Sequence, residues 1–337
     1  MISDENKVYK EMIQKGLDQR GEIERVVREI LTRTNLKNVF FVGCGGSLAV
    51  MTPCQYLFET FSTMPTYIYN AGEFVERKPI QFTKDSLLVV SSYSGKTPET
   101  VVAANLAKEI GAISIGFTGV ADSPLGKAVD YVFANHANTG VTDSKIVVLY
   151  QILLNILKGT KSFDRYDDFV NAMDLLPEEL VNVRLASVNA AEKFAKENKD
   201  EKFFMVLGAG ACWGAAYSYA ICILEEMQWI IAQPVHAGEY FHGPFEIVTE
   251  NTNLLILKGE DDSRPVVQRA EDFSKKYSKK VTIIDSKDYE LKGIPENLRG
   301  FFSPLVLSAA LDVFSQNIAR EREHPLSTRR YMGVVEY

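Results

Sequence analysis

The sequence predicts an α/β protein in two halves, each a parallel sheet covered by helices on both faces. Two observations lead there. Short apolar runs alternate with helical or loop stretches of moderate length, which is the spacing of βαβ units. The same order of strand, glycine turn and helix then returns after residue 200, without a direct sequence repeat.

The first periodic stretch has Ile23, Val26, Val27, Ile30 and Leu31 at helical spacing, which predicts one amphipathic helix ahead of Asn35. Val39-Phe40-Phe41-Val42 follows as a buried strand that stops at Gly43, and Leu87–Val90 and Ile113-Ser114-Ile115 are the next two. Helical stretches from about Ser144 to Leu157 and from about Pro177 to Asn198 have no clear strand between them. They form a connector closed by the charged run Lys199-Asp200-Glu201-Lys202. Phe203–Leu207 opens the second half and ends at Gly208, and Leu254–Leu257 and Val281–Ile284 flank a helical stretch from about Pro265 to Tyr277. The expected division is an N-terminal helix over 1–34, a first sheet unit over 35–160, a connector over 161–200, a second sheet unit over 201–320 and a tail over 321–337.

A chain of 337 residues, 46% hydrophobic and 24% charged, has an ordinary globular composition and room for two domains. The net charge of −7, with no Lys/Arg cluster, argues against a nucleic-acid surface, so an anionic ligand would have to be held by local donors. Cys44, Cys54, Cys212 and Cys222 lie in or beside apolar stretches with no CxxC pair or Cys/His ligand spacing, which predicts reduced core thiols and no metal. The N-terminal stretch has no apolar signal region and no apolar run approaches membrane length, so a cytoplasmic protein without a membrane partner is expected.

Two loops suit a phosphate. Gly43-Cys44-Gly45-Gly46-Ser47 follows a strand and opens a helix, which places free N–H groups, a positive helix end and the Ser47 hydroxyl together. Ser92-Tyr93-Ser94-Gly95-Lys96-Thr97 follows another strand, with Thr97 as helix cap and Pro98 at the first helical position. Ser92, Ser94 and Thr97 could converge there on an anion; a capped helix with a polar loop is the alternative. A dinucleotide fingerprint fails because Leu48 and Trp213 stand where the third glycine of GxGxxG belongs, so no cofactor is expected.

The other chemical feature is Glu225-Glu226 at the end of an apolar helix starting near Ala215, followed by His236-Ala237-Gly238-Glu239-Tyr240-Phe241-His242-Gly243-Pro244. Burying an unpaired carboxylate costs several kcal/mol. Successive helical residues point about 100° apart. One glutamate is therefore solvated while the other is free for chemistry, unless both sit at the helix edge and His242 is an ordinary turn histidine.

These segments resemble the SIS (sugar isomerase) phosphosugar-binding family. Ser92-Tyr93-Ser94-Gly95-Lys96-Thr97 is similar to its phosphate loop and Gly43–Ser47 to its first glycine turn. Glu226 to His242 is similar to the isomerase domain of glucosamine-6-phosphate synthase, and the spacing of 242 − 226 = 16 singles out Glu226 over Glu225. Within the family the likeness is strongest to the fructosamine-6-phosphate deglycases, carried by Glu226-Met227-Gln228-Trp229, His236–Glu246, and the tail His324–Met332 through Glu336-Tyr337. The resemblance implies two doubly wound SIS subdomains in a homodimer or higher homo-oligomer, with active sites near the subunit interface and the tail near the active site. Arg330 stands where the synthase tail carries a lysine; always charged, it would anchor rather than form a Schiff base. No glutaminase domain precedes the first strand, so glutamine-dependent synthesis is not expected.

The activity implied is the conversion of a 6-phosphorylated Amadori adduct, such as fructoselysine 6-phosphate, and water to glucose 6-phosphate and the amino acid. Glu226 and His242 are the expected catalytic residues, and Ser47, Ser92, Ser94 and Thr97 the phosphate ligands. Gly45, Gly46, His236 and Arg330 are further substrate-binding candidates, while His136 and His324 read as structural or surface residues. A phosphosugar aldose-ketose isomerase and a non-catalytic sugar-phosphate sensor stay open as alternatives.

Overall fold

The computed structural model describes residues 2–134, 143–160 and 163–336; His136 lies outside them. The chain forms two compact units, Met1–Pro177 and Glu178–Tyr337.

The first unit holds five parallel strands: β1 (Asn38–Gly43), β2 (Thr66–Asn70), β3 (Ser86–Ser91), β4 (Ile113–Thr118) and β5 (Tyr131–Ala134). Their order in the sheet is β2-β1-β3-β4-β5. The three central strands are buried along their whole length, which is why they read as continuous apolar runs. On one face Phe40, Val42, Leu88 and Val90 pack with Phe74, Phe82 and the alanine stripe Ala103, Ala104 and Ala107 of the helix Pro98–Ile110. The Phe40 ring lies 4.6 Å from Tyr67 and 5.1 Å from Phe82. Val39, Phe41 and Val89, which alternation turns to the opposite face, are equally buried. The helix Asp143–Gly159 is buried almost all round and packs against Ile2–Leu17, Arg20–Arg33 and Thr52–Phe61.

The second unit repeats the plan with β6 (Phe203–Gly208), β7 (Ile231–His236), β8 (Asn253–Lys258) and β9 (Lys280–Asp285), all parallel in the order β7-β6-β8-β9. The two sheets flanked by helices are the predicted architecture.

Several elements depart from expectation. Two helices precede β1, because Tyr9, Met12, Ile13 and Leu17 form a second apolar stripe ahead of the predicted one. Strands β2, β5 and β7 were not foreseen. β2 and β7 are edge strands, β2 only partly buried and β7 carrying Pro234, and β5, also at an edge, has only four residues. β2 and β7 present no long apolar run, whereas the apolar run Tyr131–Ala134 of β5 was passed over. The helix Glu296–Glu321 does reach membrane-spanning length and hydropathy, contrary to the sequence reading; 72% of its apolar window is buried within the protein, so it is a core helix.

Phe40→Ala should lower stability by about 3–5 kcal/mol, the usual cost of emptying a buried aromatic site, measured as a fall in the urea midpoint.

Candidate functional site

Strand order reverses between β1 and β3: the connection from β1 leaves toward β2 and the chain returns on the other side. Open parallel sheets bind ligands at the carboxyl ends of strands flanking such a reversal. Gly43 is in register with Ser91, so the loops after β1 and β3 emerge side by side. The structure therefore brings together the two loops singled out in the sequence.

The first loop turns through Gly45 at φ 53°, and a side chain there would meet nothing within 4 Å, so the backbone is open to a ligand. The helix expected to start here is only the single turn Gly46–Ala49, with the longer helix Thr52–Phe61 starting afresh. One turn carries little dipole, so donors other than a helix end must serve an anion. Ser47 supplies a half-buried hydroxyl, and beneath it the Nζ of Lys145 donates to the Ser47 Oγ at 3.4 Å. Lys145 is 1% exposed, and burial pushes its ammonium down to about 8. Sequence reasoning missed it, because a single lysine inside an apolar helical stretch gives no signal until the fold sets it under a glycine turn.

In the second loop Ser92 is buried, its hydroxyl accepting from Gly95 N at 3.1 Å and pairing with the Thr97 hydroxyl at 2.9 Å. Thr97 occupies the cap position, yet its hydroxyl does not cap the helix; it turns to Ser92 instead. Ser94 is exposed and accepts from Lys96 N at 3.2 Å. Gly95 has φ 64°, and a side chain there would overlap Ser123. The loop is thus shaped by Ser92 and Gly95, and Ser94 and Thr97 are the more exposed hydroxyls.

The equivalent reversal in the second unit, between β6 and β8, is closed to anions. Gly210 turns at φ 53°, but a side chain there would meet the Asp261 carboxylate at 2.5 Å. Asp261 is 5% exposed and accepts from Ser263 N at 2.9 Å, and Glu260 beside it pairs with Arg299 at 2.8 Å. A carboxylate fills the place that hydroxyls and a lysine hold in the first unit.

The second unit carries the carboxylates and histidines. The helix Trp213–Ser218 widens into a π-helix over Tyr219–Met227, a rare form concentrated at functional sites, so the 100° spacing assumed for an α-helix does not apply there. Glu225 is exposed and its Oε1 accepts from Ala232 N at 3.2 Å. Glu226 is half-buried and paired at 2.9 Å with Arg329, a tail residue sequence reasoning passed over for its neighbour. Burial pushes the Glu226 carboxyl above the usual carboxylate range, and the Arg329 guanidinium pulls against it without restoring it. Arg330 lies instead over the Trp229 ring at 4.2 Å. Gln228 Nε2 donates to His324 O at 2.8 Å, and the His324 ring meets Trp229 edge-on, so the tail is fastened around the end of the π-helix.

His242 sits in the turn Tyr240–His242 with its imidazole exposed; no hydrogen bond or ion pair among the described residues joins it to Glu226. His236 ends β7, accepts at Nδ1 from Gly238 N at 3.1 Å and packs on Trp213. All four cysteines are free, two buried and two half-buried. No cluster of His, Cys, Asp and Glu that could hold a metal occurs among the described residues.

Fold and glycine-turn loops define a protein built on the SIS domain, whose family model matches residues 34–155. Over 94% of its length the chain is 40% identical to 97% of the fructosamine deglycase FrlB of Bacillus subtilis. It is 24% identical to the fructoselysine 6-phosphate deglycase of Escherichia coli, over 96% of this chain and 94% of that one. A solved Bacillus subtilis structure, described as a candidate phosphosugar isomerase, superposes with a TM-score of 0.88 at 39% identity, covering 95% of this chain and 99% of that one. The chain belongs to the SIS-domain fructosamine deglycase family.

Arg329→Met removes the cation opposing the desolvation of Glu226, so this carboxyl should hold its proton to still higher pH. A native carboxyl that binds its proton more tightly than the unfolded one makes stability fall as pH rises above the ordinary carboxylate range. That fall should be steeper in the variant than in wild type, measured by urea midpoints at mildly acidic and at neutral pH. Gly95→Ala should cost about 1–3 kcal/mol for the left-handed backbone alone, before its overlap with Ser123, seen as a lower melting temperature.

Proposed function

We propose that this protein is a fructosamine-6-phosphate deglycase, releasing glucose 6-phosphate and a free amino acid from a substrate such as fructoselysine 6-phosphate. The observation that carries the reading is Glu226: a half-buried carboxylate of raised proton affinity, in a chain 40% identical to a fructosamine deglycase over nearly its whole length.

The substrate is a 1-amino-1-deoxyketose. Glu226 takes a proton from C1 while O2 gains one, giving an enaminol; the proton then returns to C2 while the nitrogen loses its own. The product is an aldimine, and water adding at C1 expels the amine and leaves the aldose. A carboxylate with raised proton affinity is a stronger base than an ordinary one. His242 is assigned the proton exchanges at oxygen and nitrogen, or ring opening. Ser47, Ser94 and Thr97 hold the phosphate in a loop shaped by Ser92, with Gly45 and Gly46 allowing backbone approach, and fix the register of the sugar. His236 lines the amine pocket and Arg330 is an anchor. The same reading makes the protein a cytoplasmic hydrolase acting as a homodimer, without a cofactor.

Wild type should release glucose 6-phosphate from fructoselysine 6-phosphate in a coupled dehydrogenase assay, and Glu226→Gln should lose about 10²–10⁴-fold in kcat. Interconversion of fructose 6-phosphate and glucose 6-phosphate without amine release would assign the protein to the isomerases instead.

A further inference from the structure

Three cations are buried among the described residues: Lys145 at 1% exposure, and Arg184 and Lys258 at 4% each. Two of them are neutralised within the fold. Arg184 pairs with Asp312, and Lys258 lies 2.7 Å from Glu271 and 3.8 Å from Asp285. Lys145 has no carboxylate partner among the described residues, and its one hydrogen bond there is to the Ser47 hydroxyl. Its position sharpens the imbalance. It stands in the first turn of the helix Asp143–Gly159, the end where the helix dipole disfavours positive charge. An ammonium kept out of water, at the wrong end of a helix and without a counter-charge, is disfavoured unless an anion completes it.

The one contact says where that anion comes from. Ser47 is half-buried, with Lys145 on its inner side and the open glycine turn beside it. A serine hydroxyl that accepts from an ammonium is polarised and becomes a better donor through its own O–H. We infer that Lys145 is the positioning cation for the phosphate monoester of the ligand, acting through Ser47, which accepts from the ammonium and donates to a phosphate oxygen. In this protein of net charge −7, Lys145 gives the anion a buried positive charge, where the Ser/Thr loop offers only the exposed Lys96.

The inference rests on the phosphosugar reading, so the test separates the two. Calorimetric titration with glucose 6-phosphate is run on wild type, Lys145→Met, Ser47→Ala and the double variant, alongside steady-state kinetics. Lys145→Met should bind roughly 10–100-fold more weakly, the usual effect of losing a hydrogen bond to a charged group, and the loss should fall on KM rather than kcat. Its melting temperature should be unchanged or higher, because an uncompensated buried charge has gone. Lys145→Arg should recover part of the affinity. The double variant should lose no more than the larger single loss, since both act in one chain of contacts. Should the methionine variant not fold, Lys145→Gln, which keeps a donor toward Ser47 but no charge, should show the same weakening. Wild-type affinity in a folded charge-free variant, or fully multiplying losses in the double variant, would overturn the proposal. Binding without deglycation by wild type would remove the proposed reaction and leave Lys145 standing; deglycation with an unaltered KM in Lys145→Met would remove Lys145 alone.

Discussion

The reversal of strand order between β1 and β3 is the constraint on which the rest of the first unit depends. Two connections leaving a sheet in opposite directions cannot cover the ends of their own strands, so a crevice remains there, walled by backbone. Every feature suited to an anion follows from that crevice: the open turn at Gly45, the half-buried Ser47 hydroxyl, and the loop that Ser92 and Gly95 hold in shape. The second unit has the same reversal and the opposite chemistry, with Asp261 seated against Gly210. Topology makes the opening; the side chains at it decide what can enter.

In the second unit the governing balance is between desolvation and pairing at Glu226. Burial alone would make the carboxyl too reluctant to ionise, and full exposure would leave it a weak base. The Arg329 contact at 2.9 Å sits between these limits, and the net displacement is upward. The tail that supplies Arg329 is held by Arg330 over Trp229 and by Gln228 bonded to the His324 carbonyl. Neighbouring arginines thus do different work: one tunes the carboxylate and the other fastens the segment.

The central strands were legible because a strand covered on both faces must be apolar throughout, as Val39–Val42 and Leu254–Leu257 are. Strands β2 and β7 were not, since an edge strand tolerates polar residues and even Pro234, while the short apolar run of β5 was passed over. The glycine and serine loops were legible because turns and close backbone approach demand particular residue types. The π-helix over Tyr219–Met227 was not, because its widened register comes from packing rather than from any residue preference.

By itself the sequence determined the repeated strand-turn-helix plan, the two glycine and serine loops and the placement of two glutamates ahead of a histidine-bearing segment, all of which are local in the chain. Only the tertiary structure decided which glutamate is half-buried, that Arg329 rather than Arg330 meets it, that the second glycine turn is closed by a carboxylate, and that Lys145 lies beneath Ser47. The reason is electrostatic. A charge's cost and its partner depend on burial and on contacts between residues far apart in sequence, and neither exists until the chain has folded.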